Sequence, residues 1–209
     1  MTAHAELSHY RKNPPTSTPT TPTTATATAT ATHIDRPRPD DGPLLWRLAR
    51  DSGALDLNSS YSYLLWCRDF AGTSAVARDP SGQVVGFVSG YVRPESPGTL
   101  FVWQIAVDES VRGLGIAGAL LDGLSIRVAA EHGLKSLETT ISPGNLASER
   151  LFTSYAGRHG ATVTREVLFA TEEFPDGGHA PEVLHRIAPL DFRPRAPYTP
   201  TPTPTGELS

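Results

Sequence analysis

The residues best suited to chemistry lie directly after an apolar stretch, within residues 100–121 (LFVWQIAVDESVRGLGIAGALL). A strand predicted to end at Val107 is followed by Arg112, Gly113 and Gly115, at the start of an amphipathic helix. Backbone N–H groups at the positive end of a helix bind phosphate, and glycines let the backbone approach closely because no Cβ intervenes. Arg112 adds a permanently charged guanidinium. The pattern predicts a phosphate-binding loop.

The same glycines also match a second pattern, Gly113-x-Gly115-x-x-Gly118, which binds dinucleotides in parallel sheets. Glu138 lies about twenty residues further on, as that motif requires. In the dinucleotide motif, however, the first glycine follows its strand almost at once, whereas residues 108–112 intervene here. Glu138 also falls inside a predicted strand, and several strands precede the loop. These features favour a different kind of phosphate loop.

Eleven elements are predicted around this loop from apolar periodicity and from turn residues. Asp41 is expected to cap the first helix, which ends at Gly53. The order is strand, two helices, three strands, helix, strand, helix and two strands. The strands are predicted at residues 32–36, 73–78, 84–93, 100–107, 134–141, 161–170 and 183–188, and the later helices at residues 61–70, 113–132 and 146–159.

The sequence Arg112-x-x-Gly115-x-Ala117 after a strand resembles the acetyl-coenzyme A loop of the GCN5-related N-acetyltransferases, and the element order matches theirs. The resemblance implies an α/β (α+β) fold, with a central mixed, mostly antiparallel sheet of six or seven strands flanked by about four helices. It implies that acetyl-coenzyme A is the co-substrate. The pantetheine arm is expected on Ile105, Ala106, Val107 and Asn145, and the pyrophosphate on Arg112, Gly113, Leu114, Gly115, Ile116 and Ala117. Asn145 is equally suited to capping a helix.

A narrower resemblance covers nearly all of residues 34–190. The segments LDLNSSYSYLLWCRDF (55–70), VVGFVSGY (84–91), LFVWQIAVD (100–108) and LETTISPGNLASERLF (137–152) are similar to the L-2,4-diaminobutyrate acetyltransferases of ectoine biosynthesis. The implied reaction transfers acetyl from acetyl-coenzyme A to the γ-amine of L-2,4-diaminobutyrate. Two alternatives remain, an acetyltransferase for another small amine or polyamine and a catalytically silent acyl-coenzyme A-binding module.

Acetyl transfer to an amine needs a group that takes a proton. An amine with a pKa near 10.4 is neutral in only about one molecule in two thousand at pH 7, so acidic side chains should line the acceptor pocket. Asp56 is the first candidate, although it could instead cap the following helix. Glu138 is the second, with a solvent-facing position on its strand as the alternative. Glu166 is a weaker candidate of the same kind.

Aromatic residues are the other candidates for the acceptor pocket. Tyr61 and Trp103 are expected to shape its wall and floor, with ordinary core positions as the alternative. Many members of the superfamily use a tyrosine to protonate the leaving thiolate, but Phe152 stands at that position here. Tyr155, three residues later, is a substitute candidate, and ordinary packing explains it equally well.

Composition and charge predict the disordered segments, the partners and the location of the protein. Residues 1–32 and 191–209 are rich in Pro and Thr, so we expect disordered tails around one domain at residues 33–190. The net charge of −4, without a basic stripe, predicts no nucleic-acid partner. Cys67 is the only cysteine, which together with the lack of a leader or membrane-spanning run predicts a cytoplasmic protein. The histidine spacing indicates no metal site. The resemblance implies a homodimer.

Overall fold

A computed structural model describes residues 32–175 and 178–192, and most of both predicted tails lies outside these residues. Their elements follow the order predicted from the sequence. The strands are β1 (His33–Asp35), β2 (Ala75–Arg78), β3 (Val84–Arg93), β4 (Ser96–Val107), β5 (Ser136–Ile141), β6 (Thr162–Phe169) and β7 (Glu182–Ala188). The helices are α1 (Gly42–Ser52), α2 (Ser60–Asp69), α3 (Ile116–His132) and α4 (Leu146–His159).

The seven strands form one sheet in the order β1-β2-β3-β4-β5-β7-β6. All neighbours are antiparallel except β4 and β5, which are parallel. Their pairing begins at Thr99 and Ser136 and ends at Val102 and Thr139, although both strands continue. The two strands therefore diverge and open the middle of the sheet. The mixed, mostly antiparallel sheet with four flanking helices confirms the predicted fold.

A β-bulge in β4 lies at the point where the two strands diverge. Ser89 of β3 pairs with Gln104, but the next residue of β3, Gly90, pairs with Val102, so Trp103 has no partner on β3. An extra residue of this kind kinks a strand and redirects its side chains. Trp103 and Gln104 consequently face the same side of the sheet, towards α2.

Two hydrophobic cores cover the two faces of the sheet. The larger lies under α3 and α4, where the apolar positions of α3 recur at helical spacing and are fully buried. The smaller lies under α1 and α2 and includes Leu45, Tyr63, Cys67 and Phe87. Because α1 and α2 pack on β2, β3 and β4, the divergence of β4 and β5 lies at the edge of this second layer.

Some predicted boundaries differ from the structure for local reasons. Helix α3 begins at Ile116 rather than near Gly113, because Gly113 and Gly115 have φ values of 81° and 79°, outside the helical region. Asp41 occupies the N-cap position of α1, as predicted, but its side chain makes no capping hydrogen bond to that helix. Its carboxylate instead accepts hydrogen bonds from the guanidinium of Arg78, which draws it towards β2. Among the described residues, no helix combines the length and hydropathy that crossing a bilayer requires.

Candidate active site

A cleft of about 250 Å³ occupies the gap between the diverging strands. Residues 102–105 of β4 form one wall, and residues 139–142 at the end of β5 form the other. Beyond Val102, β4 is paired with β3 on one side only. Its other edge faces the cleft with backbone groups that are free to bind an extended ligand in the manner of an added strand. Ile105 lines the cleft, as predicted.

The glycine loop lies at the end of β4, between Val107 and α3. Asp108 accepts a hydrogen bond from the backbone N–H of Ser110, which shapes the single turn at Glu109–Val111. Gly115 then starts α3, whose first intrahelical bond runs from the N–H of Ala119 to the carbonyl of Gly115. The preceding N–H groups of the helix therefore have no intrahelical acceptor and are available to an anion.

The two loop glycines leave room for that anion. A Cβ built on Gly113 or on Gly115 has no neighbouring atom within 4 Å, so the left-handed backbone, and not crowding, requires glycine at both positions. Arg112 is exposed next to them, and its Nε donates to the carbonyl of Val107. The loop thus combines an open backbone surface, a helix N-terminus and a guanidinium, which fits a pyrophosphate.

Residues at and near the start of helix α4 form another part of the cleft, on the side where the cofactor is expected to bind. Asn145, Ser148 and Phe152 line the cleft. The side-chain oxygen of Asn145 caps α4 by accepting from the N–H of Ser148 at 3.1 Å. This bond uses the oxygen and leaves the amide nitrogen as a donor towards the cleft. The capping alternative is therefore correct, and it is compatible with a contact to the cofactor.

On the opposite side of the cleft, the side chain of Asp56 lies close to those of His179 and Glu182, which are far from it in the sequence. Nε2 of His179 lies 3.4 Å from a carboxylate oxygen of Asp56 and 4.0 Å from one of Glu182. The three ligand atoms lie within 4.8 Å of one another, a spacing that suits a shared cation, whether an ammonium group or a metal ion. Asp56 is 85% exposed, whereas the Glu182 side chain is only 17% exposed and lines the cleft.

Hydrogen bonds orient this group. Nδ1 of His179 lies 2.6 Å from the carbonyl of Ala180, which can only accept, so Nδ1 carries the proton. This bond, aided by the nearby carboxylates of Asp56 and Glu182, raises the pKa of His179 above its usual value. Glu182 also accepts from the hydroxyl of Ser142 at 3.2 Å. That contact ties the carboxylate to the end of β5, at the wall of the cleft.

An aromatic pocket of about 380 Å³ adjoins the cleft and shares Trp103, Thr140 and Glu182 with it. Trp103 packs against Trp66 of α2 with ring centroids 4.4 Å apart, and Phe174 stacks on His179 at 4.0 Å. Trp103 therefore lies between the cleft and the pocket, in the region predicted for the acceptor. Tyr61, by contrast, is 65% exposed on the first turn of α2 and lines neither cavity.

The other predicted acids lie away from the cleft. Glu138 is 1% exposed and forms ion pairs with Arg93 at 2.9 Å and Arg186 at 2.6 Å, so two guanidinium groups already neutralise it. Glu166 is exposed on the edge strand β6. Neither of them lines the cleft or the aromatic pocket.

Tyr155 is also outside the cleft. Its side chain is completely buried between α3 and α4, and its hydroxyl donates to the hydroxyl of Ser125 at 2.6 Å. Burial raises the pKa of this phenol. The position matches the packing alternative, and it does not support a role in protonating the thiolate.

Sequence reasoning missed His179 and Glu182. His179 precedes β7 and Glu182 is the first residue of that strand, in a stretch without a recognisable motif, and His179 is 123 residues from Asp56. The available signal was weak: a histidine and a glutamate three residues apart, directly before the last predicted strand. Only the sheet order, which inserts β7 between β5 and β6, brings them to the cleft.

Comparisons with known proteins agree with this geometry. The model of the acetyltransferase (GNAT) family matches residues 43–157. An L-2,4-diaminobutyric acid acetyltransferase from Streptomyces coelicolor is 68% identical over 157 residues, which cover 75% of this chain and 92% of the relative. The protein of the same name from Halomonas elongata is 43% identical over 159 residues, covering 75% and 81% of the two chains.

Solved structures share the fold of this chain. Diaminobutyrate acetyltransferase EctA from Paenibacillus lautus, in complex with L-2,4-diaminobutyric acid and coenzyme A, is 45% identical and superposes with a TM-score of 0.71. The match covers 77% of this chain and 96% of that one. Ard1 from Thermoplasma volcanium shares the fold at 21% identity, with a TM-score of 0.62 and coverage of 77% and 99%.

Proposed function

Because the chain belongs to the acetyltransferase (GNAT) family, we propose that it transfers acetyl from acetyl-coenzyme A to the γ-amine of L-2,4-diaminobutyrate. The product, N-γ-acetyl-L-2,4-diaminobutyrate, is the precursor of ectoine. One observation carries the proposal: Asp56 and Glu182 line the cleft between β4 and β5, with His179 beside them, and the glycine loop follows the end of β4, the strand that forms one wall of that cleft. The Paenibacillus lautus relative, bound to the same diamine and to coenzyme A, supports this choice of acceptor.

The cofactor side holds acetyl-coenzyme A by its anionic and extended parts. Gly113, Gly115 and the start of α3 receive the pyrophosphate, and Arg112 adds charge. The free edge of β4 and the amide of Asn145 receive the pantetheine arm. An arm held along the free edge of β4, which begins beyond Val102, brings the thioester towards the point of divergence, beside Trp103.

The acceptor side holds a cation and takes its proton. The diamine carries two ammonium groups, and Asp56 and Glu182 supply two carboxylates for them. Both carboxylates line the cleft, but Glu182 is the better placed proton acceptor, because it is largely buried there and is held by Ser142 at the end of β5. Asp56, more exposed, is placed to hold the second ammonium group. His179 lies between the two carboxylates, so its protonation makes the net charge of the group depend on pH.

The reaction then balances without a further reagent. Glu182, directly or through one water molecule, removes a proton from the γ-ammonium group, and the neutral nitrogen attacks the thioester carbonyl. A C–N bond forms and the C–S bond breaks. The second proton of the nitrogen ends on the departing sulfur, so the products are the amide, coenzyme A and one proton. Holding both reactants in the cleft supplies the orientation that selects the γ-nitrogen over the α-nitrogen.

The assembly and location belong to the same proposal. We propose a homodimer, and the edge strand β6 supports it, since Val167, Leu168 and Phe169 are 61%, 38% and 47% exposed there. Sedimentation of the purified protein at twice the monomer mass is the expected result, and a monomer would contradict it. A cytoplasmic location is consistent with a single, buried cysteine.

The experiment that tests the activity is release of free thiol from acetyl-coenzyme A in the presence of an amine panel. The panel contains L-2,4-diaminobutyrate, ornithine, lysine, putrescine and a blank without acceptor. We expect a strong preference for diaminobutyrate. Turnover with another amine would retain the chemistry and refute the acceptor, and cofactor binding without turnover would indicate a silent binding module.

A further inference from the structure

The side-chain amide of Gln104 connects three segments of the acceptor side. Gln104 is 4% exposed and lies directly after the bulge in β4. Its Nε2 donates to the backbone carbonyl of Asp56 at 2.8 Å, and its Oε1 accepts from the hydroxyl of Tyr63 on α2 at 3.0 Å. A single buried amide thus joins β4, α2 and the segment that carries the exposed carboxylate of Asp56.

The chemistry of the partners fixes the direction of both bonds. The carbonyl of Asp56 can only accept, so the amide nitrogen of Gln104 must face it. The amide oxygen then faces Tyr63, whose phenol must donate. Burial raises the pKa of Tyr63 above its ordinary value, so the phenol keeps its proton. The three groups therefore have one consistent arrangement, which is what a positioning contact requires.

Little else anchors the carbonyl of Asp56 to the sheet. Among the described residues, this carbonyl also accepts from the side-chain amide of Asn58 at 3.2 Å, but Asn58 belongs to the same segment and moves with it. Within the described residues, the Asp56 carboxylate is held by His179 at 3.4 Å, across a side chain that is 85% exposed. The bond from Gln104 joins the backbone of this segment directly to the strand that lines the cleft.

We propose that Gln104 is a positioning residue for the acceptor: with Tyr63 as its anchor, it sets the place of Asp56 relative to the cleft. Gln104 acts through Asp56 and has no role on the cofactor side. This inference rests on the proposed function only for the identity of the amine. Its loss should weaken binding of the diamine and leave the affinity for acetyl-coenzyme A unchanged.

The test compares Gln104→Met, which keeps the volume and removes both hydrogen bonds, with Cys67→Ala, which disturbs the same core without touching them. Cys67 lies four residues after Tyr63 on α2 and is 1% exposed. We expect Gln104→Met to raise KM for diaminobutyrate about 3- to 10-fold, the range for losing one hydrogen bond, with KM for acetyl-coenzyme A unchanged. Cys67→Ala should lower Tm without changing either KM.

Hydrogen exchange in the free protein gives a readout that needs no substrate. Amides of residues 54–59 should exchange faster in Gln104→Met than in Cys67→Ala. A wild-type protein that acetylates no amine would overturn the proposed function, and the exchange data would still decide the positioning role. Equal exchange in the two variants would overturn the role of Gln104.

A double variant tests the route through Asp56. In an Asp56→Asn background, Gln104→Met should raise KM for the diamine no further, because coupled residues are not additive. An additive increase would overturn the inference. If Gln104→Met does not fold, Tyr63→Phe removes only the anchor and should give the same pattern with a smaller increase. Equal changes in both KM values in that variant would refute it.

Discussion

The cofactor side of the cleft consists mostly of backbone from one continuous stretch, whereas the acceptor side consists of side chains from separate parts of the chain. Residues 105–117 supply the free strand edge, the glycine turn and the helix N-terminus. Asp56, Trp103, His179 and Glu182 reach the acceptor side from three regions. Binding by backbone groups depends on the local conformation of one stretch. The arrangement of the acceptor side chains depends instead on the topology of the whole fold, which brings three regions together. Substitutions on one side should therefore leave the other intact.

The largest effect should come from Glu182→Gln, which removes the carboxylate that we propose as the proton acceptor. We expect kcat/KM for diaminobutyrate to fall by about 100-fold or more, the usual contribution of a general base, with KM for acetyl-coenzyme A unchanged. Steady-state kinetics with each substrate varied in turn measure this. Glu166→Gln, on the exposed edge strand, is the matched control and should behave as wild type. An equal loss in both variants would refute the assignment.

The next largest effect should come from Gly115→Val on the cofactor side. A left-handed backbone costs an L-residue about 1–2 kcal/mol, and Gly115 has φ 79° in the loop that we propose for the pyrophosphate. KM for acetyl-coenzyme A should rise roughly tenfold, and KM for the diamine should not change. Gly133→Val, at the other end of α3 with φ 68°, imposes similar strain away from the loop. A rise in KM for the cofactor in both variants would indicate general damage.

A smaller effect should follow pH through His179. Its pKa is raised by the carbonyl of Ala180 and by the neighbouring carboxylates, so its stabilising contribution is present below about pH 6.5 and lost as pH rises through the raised pKa. While charged, the imidazole competes with the substrate ammonium groups for Asp56 and Glu182. KM for the diamine should therefore fall a few-fold from about pH 6 to about pH 8. In His179→Gln, KM for the diamine should no longer fall over this pH range. If KM depends on pH in the variant as it does in wild type, charged His179 does not compete with the substrate.

The smallest effect on activity should come from Tyr155→Phe. The lost hydroxyl donates only to Ser125, in the described residues, inside the core between α3 and α4. The free energy of unfolding should fall by about 1–2 kcal/mol, because the Ser125 hydroxyl is left buried without its partner. Thermal denaturation and kcat are the two measurements. A large loss of kcat at unchanged stability would show that Tyr155 takes part in catalysis. The cleft would then not contain all of the catalytic residues, contrary to the division into two sides.

The difference between the two sides also explains what could be predicted from the sequence. The glycine loop could be identified because Arg112, Gly113 and Gly115 follow a strand at fixed spacing, and spacing determines local backbone geometry. The order of the elements, and with it the fold, followed from apolar periodicity. Boundaries shifted by a few residues where a left-handed glycine or an early strand start changed them, as at Ile116 and Ser96.

The acceptor side was only partly predicted, for physical reasons. Asp56 and Trp103 were predicted correctly as residues near the cleft, but their role there remains a prediction. Glu138 was attractive because a charge inside an apolar strand needs a partner, and the strand pattern could not show that Arg93 and Arg186 provide it. Glu182 is the first residue of β7, and its place at the cleft depends on a strand order that no local pattern contains.

The bulge at Trp103 makes the length of β4 as important as its composition. Ahead of it, Leu100 and Val102 face α3; beyond it, Ile105 and Val107 do so, because the added residue shifts the alternation by one position. Deletion of Trp103 would leave Gln104 paired with Ser89 but would remove the bulge, and with it the kink of β4 at the point where this strand leaves β5. Related chains should therefore exchange residue types in this stretch more freely than they gain or lose a position. An alignment gap there would indicate a different acceptor site.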